Sequence, residues 1–589
     1  MRKRLLCVET WMRKATTLLI GAAILAIVPV GAHAENAGEA CPRPAPGSTV
    51  TEPADLHSQD GVLKVALVFR NSIEAGGTVR YCYVSKDGSQ APTLRVKPGD
   101  LVILELKNEI TGAPGVAGAS QKHAMAENCG SGGGMSVSAT NLHFHGLSIP
   151  AACHQDDVLK TSVLPSDPPF EYRFQIPLNQ PPGLYWYHPH VHGFSKVQVL
   201  GGASGALIVE GIERANKELA GLPERVLVIR DQDLLNPNAE PAKTGGAATQ
   251  VVIDKDGDAR NTGDGTGKPA KDLSLNFVPV PYPDYQTAVI PIRPRERQLW
   301  RILNASAITY LNLQTLVNGV PQWMAVVGID GVPVNYNGRG GQGIAWQTHV
   351  GLPPGGRCEF IFAAPADGMA TLVTRSVNTG SGGENDPVRP IASIVISGDA
   401  PEPRSRLEAL PEPLPRPVLP WLGSVTPVRT RTLYFSETLQ DPKDPNSPTT
   451  FYITAEGQQP MPFDPSSSVP NIVVHQGDVE DWIIENRSLE LHDFHIHQVH
   501  FMLLERFGVP ANEPFLRDTI NIPFWDGKTT RFPSVKLRMD FRDPDAVGTF
   551  PYHCHLLEHE DGGMMGVVRV EPASASRTPE HSHPASVGP

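Results

Sequence analysis

After residue 34 this 589-residue chain has no apolar run long enough to cross a bilayer, which excludes a later membrane span. Long stretches of 3.6-residue periodicity are missing too, and with them any helical bundle. Positive charge is in short supply. Fifty Lys and Arg face 62 Asp and Glu, a formal charge of −12, and a surface that repels phosphates argues against a nucleic-acid partner. Methionine is scarce, 11 in all, with no cluster beyond Met564-Met565. What is present is an ordinary globular composition, 40% hydrophobic and 19% charged, with 55 glycines and 57 prolines. That much turn-forming residue in a folded chain favours short strands joined by loops. At roughly 150 residues per domain, the length asks for three or four domains.

The N-terminus carries an export pattern. Arg2, Lys3, Arg4, Arg13 and Lys14 precede an apolar stretch from about Ala15 to Ala32, and Ala32-His33-Ala34 has the small-residue pattern of a cleavage site. Residues 1–34 are expected to be a signal peptide removed after Ala34, an uncleaved anchor being the alternative, and Met12 is a second possible start. No Arg-Arg pair supports the twin-arginine route, so a Sec-type signal is expected. The mature chain, at a formal charge of −16, should be periplasmic or extracellular with no stable membrane anchor. Of seven cysteines, Cys7 leaves with the signal and Cys554 sits in a motif described below. Cys41, Cys82, Cys129, Cys153 and Cys358 remain, an odd number that allows at most two bridges, with a pairing not readable from sequence.

Period-two alternation bounded by Gly, Pro, Asn and Asp recurs along the chain. Leu94 to Lys107 reads as two strands turning at Pro98-Gly99-Asp100. Asn471 to Glu485 repeats the phrase, and Glu296 to Asn304 echoes it more weakly. Three echoes point to three related β domains, at 45–212, 213–399 and 425–572. A Pro-rich linker is expected over 400–424 and a disordered tail over 573–589, where His581 and His583 read as solvated. The stretches 241–268 and 378–386 read as loops.

Eleven of the 20 histidines fall into four tight clusters. In a strand, residues i and i+2 share a face. His143 and His145 therefore project together, as do His188 and His190, His495 and His497, and His553 and His555. His192 extends the second alternation, either as a third inward residue or past the strand end. Cys554 lies between His553 and His555 and faces the other way, so it must hold a second metal joined to the first by two short pieces of backbone. Cys554, His559 and Met564 follow the spacing C-x4-H-x4-M, and His492, of opposite parity to His495, offers a second imidazole. A Cys thiolate, two imidazoles and a weak thioether form the ligand set of an electron-transfer copper. Zinc would need no distant thioether. Eight further imidazoles, with no carboxylate at a matching position, suit a cluster of several coppers.

These motifs resemble the four copper-binding motifs of multicopper oxidases, the family of laccases, bilirubin oxidases and cuprous oxidases. The resemblance covers nearly the whole mature chain. It implies an all-β fold of three cupredoxin-like Greek-key β-barrel domains and four copper ions, one type 1, one type 2 and two type 3. Carried over residue by residue, it assigns the type 1 copper to His492, Cys554, His559 and Met564, and the type 2 copper to His143 and His495. The type 3 pair falls to His145, His188, His190, His497, His553 and His555. The implied reaction passes single electrons from a small reducing substrate to dioxygen, which four electrons convert to two waters. Water formation needs protons, and Glu560, Asp156 and Asp157 stand where the family places acids near the cluster; surface carboxylates are the plainer reading.

Two positions depart from the family pattern: Asp493 stands where Pro often follows the first histidine of the third motif, and Gln498 where Gly is common. Asp493 is expected either at the substrate entrance or as a solvated loop acid. The leading substrates are phenols and aromatic amines. The alternative is oxidation of Cu(I), Fe(II) or Mn(II), with the scarcity of methionine counting against Cu(I).

Overall fold

A computed structural model describes residues 40–573 except 75, 113–128, 130–134, 240–251, 255–257, 337–342, 409–418, 442, 445 and 446. The expected signal peptide, residues 409–418 of the linker and the tail beyond residue 573, with His581 and His583, lie outside the described residues. The alternation read from the sequence takes the form of six sheets, with only short helices among the described residues. The fold is all-β, and its sheets form three cupredoxin-like two-sheet modules around three large apolar clusters. The strands expected over Leu94–Lys107 stand at Thr93–Val96 and Leu101–Asn108, and the repeat of that phrase at Ile472–His475 and Val479–Asn486.

The first and third modules share a construction. In the first, Thr93–Val96 runs parallel to Gly205–Val209, which pairs with Gly183–His188 and so reaches the histidine strand His143–His145. In the third, Ile472–His475 runs parallel to Met565–Glu571, which pairs with Gly548–Cys554 and so reaches His492–Ile496. The register sets His143 opposite His188 and His495 opposite His553. Pairing of histidine strands within each module thus presents four imidazoles per module on one face.

The middle module carries none of the expected ligands. Its strand Arg297–Asn304 binds in parallel to Pro223–Gln232, and the expected linker begins tied down, since Ser405-Arg406 pairs with Pro223-Glu224. A buried ion network joins this module to the first: Arg95 bridges Asp55 and Glu224, and Arg301 bridges Glu224 and Glu359. Two disulfides, Cys41–Cys82 and Cys129–Cys153, settle the pairing left open by sequence and leave Cys358 buried and free. Among the described residues no helix is long and apolar enough to cross a membrane.

Candidate metal centres

Eight imidazoles from the first and third modules meet in one buried cluster, each with at most 2% of its surface exposed. His143 stacks on His497 with ring centres 3.7 Å apart, and His145 stacks on His495 at 3.9 Å. His553 Nε2 lies 3.3 Å from His190 Nε2 and 3.2 Å from His497 Nε2. His145, His188 and His555 form a third group with ring centres 5.0 to 5.8 Å apart. Burial holds six of these rings well below the ordinary histidine range and His553 at about 3, so they stand neutral with lone pairs available.

The Nε2 atoms of His143, His145, His188, His495 and His555 are buried and meet no hydrogen-bond partner. So many orphaned nitrogens aimed at one another would cost several kcal/mol each without a partner, and metal ions supply one. Four of the outer nitrogens, by contrast, are tied down. His143 Nδ1 lies 2.9 Å from Asp156 Oδ2, and the Nδ1 atoms of His188, His495 and His553 face the carbonyls of Pro189, Asp518 and Cys554. Fixing the outer nitrogen in this way orients a ring toward a metal.

Across the strand from the cluster lies a second set. Cys554 Sγ is 3.6 Å from His492 Nδ1 and 3.7 Å from His559 Nδ1, and the two Nδ1 atoms are 3.1 Å apart. Met564 is fully buried, its carbonyl accepting from Cys554 N–H. Burial pushes the Cys554 thiol well above its ordinary range, so a thiolate here requires a bound cation. A buried thiol and two converging imidazoles fit copper. His192, past the end of its strand, packs edge-on against Phe463.

The expected acids part company. Glu560 is buried with Oε1 3.6 Å from His190 Nδ1 and Oε2 3.5 Å from His553 Nδ1, and Ser195 Oγ donates to Oε1. Burial, then the charge of Asp561, drives its carboxyl well above the usual range. Asp156 is buried against His143 and also accepts from Phe144 N–H and Gln498 Nε2. Asp157, in the same run of turns, pairs instead with Lys160, 3.9 Å distant.

Asp493 needs correction on both expectations. It is neither at an entrance nor on a solvated loop: it lies fully buried in the strand His492–Ile496. Its N–H donates to Cys554 Sγ at 3.5 Å, a bond that proline could not make. Gln498 adopts φ 58°, a conformation that favours glycine, and its side chain reaches back 2.6 Å to Asp156.

Sequence reasoning missed the acids behind the cysteine centre. Glu437 Oε1 lies 3.0 Å from His492 Nε2, and Glu490 Oε1 3.2 Å from His559 Nε2. Both line a cavity of about 710 Å³ that Glu384, Glu558, Trp525 and Phe451 also border. Burial, then the charge of Glu437, raises Glu490 well above the usual range. Burial alone would raise Glu437 too, but its hydrogen bond to His492 takes it to about 2.

Two family profiles described as multicopper oxidase match residues 136–214 and 442–574. Multicopper oxidase mco of Staphylococcus haemolyticus is 24% identical over 494 residues, which is 81% of each chain. The McoA multicopper oxidase of Aquifex aeolicus superposes with a TM-score of 0.61 at 18% identity, over 89% of this chain and 99% of that one. A multicopper oxidase of Campylobacter jejuni, described as a metallo-oxidase, gives 0.60 at 22% identity over 90% and 96%. At such identities the structural likenesses speak for the fold.

Proposed function

The chain belongs to the multicopper oxidase family, copper oxidoreductases that use dioxygen, and from that premise we propose that its reducing substrate is a hard metal cation, ferrous or manganous ion. One observation carries this reading: Glu437 and Glu490 stand in the cavity and touch the outer nitrogens of His492 and His559. Carboxylates suit hard divalent cations, whereas Cu(I) prefers thioethers, and among the described residues no methionine borders the cavity. The order expected from sequence, phenols and aromatic amines first, is thereby reversed. Phenols and amines stay as the second reading because Trp525 and Phe451 offer aromatic faces in the same cavity.

Four coppers are part of the proposal. His492, Cys554, His559 and Met564 would hold the first, His143 and His495 the second. His145, His188 and His555, with His190, His497 and His553, would hold the remaining pair. Bound copper supplies the one-electron steps and the reduction of dioxygen. The chain's own contribution is positional. Glu437 and Glu490 bind the incoming cation within one side chain of His492 and His559. Cys554 is flanked in sequence by His553 and His555, so the two centres are linked through backbone alone. Glu560, held by Ser195 beside His190 and His553, is placed to give a proton from Oε1 or Oε2, and Asp156 orients His143. We also propose the domain boundaries 45–212, 213–399 and 425–572, and export by the N-terminal segment.

Oxygen uptake by one copper-loaded preparation, offered Fe(II), Mn(II) and a methoxyphenol in turn, tests the reading. Glu437→Gln and Glu490→Gln should raise KM for the preferred ion about tenfold, equivalent to ~1.4 kcal/mol of binding, and leave the phenol KM in place. Faster turnover of phenol than of either ion, with both variants altering every substrate alike, would overturn it.

A further inference from the structure

The outer nitrogen of His145 meets an unusual neighbour. Metal-binding histidines ordinarily turn that nitrogen to a carboxylate or carbonyl, as His143, His188, His495 and His553 do here. His145 Nδ1 instead lies 3.2 Å from Nη1 of Arg357, a guanidinium with no acceptor to offer. Arg357 comes from the middle module, which supplies none of the eight imidazoles.

Arg357 is completely buried, and its contacts span all three modules. Its two Nη atoms donate to both carboxylate oxygens of Asp518 in the third module, at 2.7 and 2.6 Å. Its Nε donates to the Leu184 carbonyl of the first module, and Nη1 also donates to the Gly355 carbonyl of its own. The Asp518 main-chain carbonyl in turn accepts from His495 Nδ1 at 2.8 Å. One guanidinium thus stands against His145 directly and, through a single residue, against His495, the ring stacked on it.

Two glycines make this approach possible. A Cβ at Gly146 would stand 2.5 Å from Arg357 Nη2 and 2.6 Å from Asp518 Oδ2. A Cβ at Gly355, where φ is +78°, would stand 2.9 Å from His555 Nε2 and 3.1 Å from His145 Nε2. The middle module therefore forms a wall of the cluster with bare backbone and one cation.

We propose that Arg357 is a positioning residue of the imidazole cluster: by gripping Asp518 with both arms of its fork, it fixes the stacked rings of His145 and His495, one from each flanking module. A fork gripping a carboxylate sets direction as well as charge, which an ammonium cannot do. The inference rests on the ligand reading above, and the experiment separates the two.

Copper per chain, the visible absorption of the Cys554 centre and the paramagnetic signal of copper at His143–His495 are measured for the unsubstituted chain, Arg357→Lys and Asp518→Asn. Arg357→Lys should keep the visible band unchanged while copper affinity of the cluster falls about ten- to a hundredfold, the usual effect of losing an outer hydrogen-bond partner. Its paramagnetic signal should change shape, and Asp518→Asn should do the same. Full cluster copper with an unaltered signal in Arg357→Lys would overturn the inference. Parallel loss of the visible band and cluster copper in both variants would also overturn it, by showing a general folding role. A lack of cluster copper in the unsubstituted chain would overturn the ligand reading, and this inference with it.

Discussion

The first and third modules are built alike and equipped differently. Aligned on their histidine pairs, Thr140 of the first stands where His492 stands in the third, Pro189 where Cys554 does, Phe194 where His559 does and Val199 where Met564 does. The strands that carry them pair in the same order. In the first module the space is closed by Thr140 Oγ1 donating to Gln198 Oε1, while Gln198 Nε2 donates to the Ala139 carbonyl. A shared scaffold therefore gives both modules four imidazoles for the joint cluster, and four side chains decide which module also carries the cysteine centre. The cluster requires two modules; the cysteine centre is local to one.

The sharpest way to break this asymmetry is Cys554→Ser, which makes the third module resemble the first at the decisive position. We expect loss of the intense visible absorption and a fall of turnover to background, while copper stays in the imidazole cluster, whose ligands face the opposite side of the strand. Copper analysis and oxygen uptake on one sample check this. Turnover retained without the visible band would mean that electrons reach the cluster by another path.

A smaller effect tests a finer difference. Asn141 and Asp493 occupy matched positions, and each receives the N–H of the last histidine its module gives to the cluster: His190 N–H goes to the Asn141 side chain and His555 N–H to the Asp493 carbonyl, both at 2.7 Å. Only Asp493 has a sulfur within reach of its own N–H. A donor on the thiolate draws charge from sulfur and favours the reduced metal, a known means of tuning such centres. Asp493→Pro should therefore lower the reduction potential of the cysteine centre relative to Asp493→Ala, which keeps the N–H, by tens of mV; about 59 mV would be a tenfold change in a one-electron equilibrium. Equal potentials in the two variants would remove the hydrogen bond from the account.

The comparison also shows what sequence could and could not convey. Alternation along His143-Phe144-His145 and His553-Cys554-His555 exposes which side chains share a face, because strand periodicity is local. The same parity rule places Asp493 on the face of His495, so its burial was legible; the loop assignment overlooked it. Arg357 and Asp518 are 161 residues apart on different modules, and Glu437 and His492 are 55 apart. No spacing rule links such pairs, since only tertiary packing brings them together, between modules for Arg357 and within the third module for Glu437. Disulfide pairing was hidden for the same reason. The glycine common at position 498 hinted at its left-handed backbone, whereas the bond from Gln498 to Asp156, 342 residues away, had no such signal.

The smallest effect concerns the neighbour of Asp156. Asp157 faces away from the cluster, and burial, only partly offset by Lys160, pushes its carboxyl up to about 6. A carboxyl that holds its proton more tightly folded than unfolded binds more protons in the native state between about pH 4, its ordinary value, and pH 6. Stability must therefore fall as pH rises through that window, with the penalty fully present above it. Asp157→Asn removes the titration, so its stability should decline less between those limits and exceed the parent's near neutral pH by on the order of 1 kcal/mol. Denaturant unfolding at pH 4 and pH 7 measures the difference, and dioxygen reduction should stay within about twofold of the parent, since Asp157 pairs with Lys160 and not with a histidine of the cluster. A large loss of oxidase activity would instead return Asp157 to the proton supply of the cluster and erase the distinction drawn between two adjacent acids.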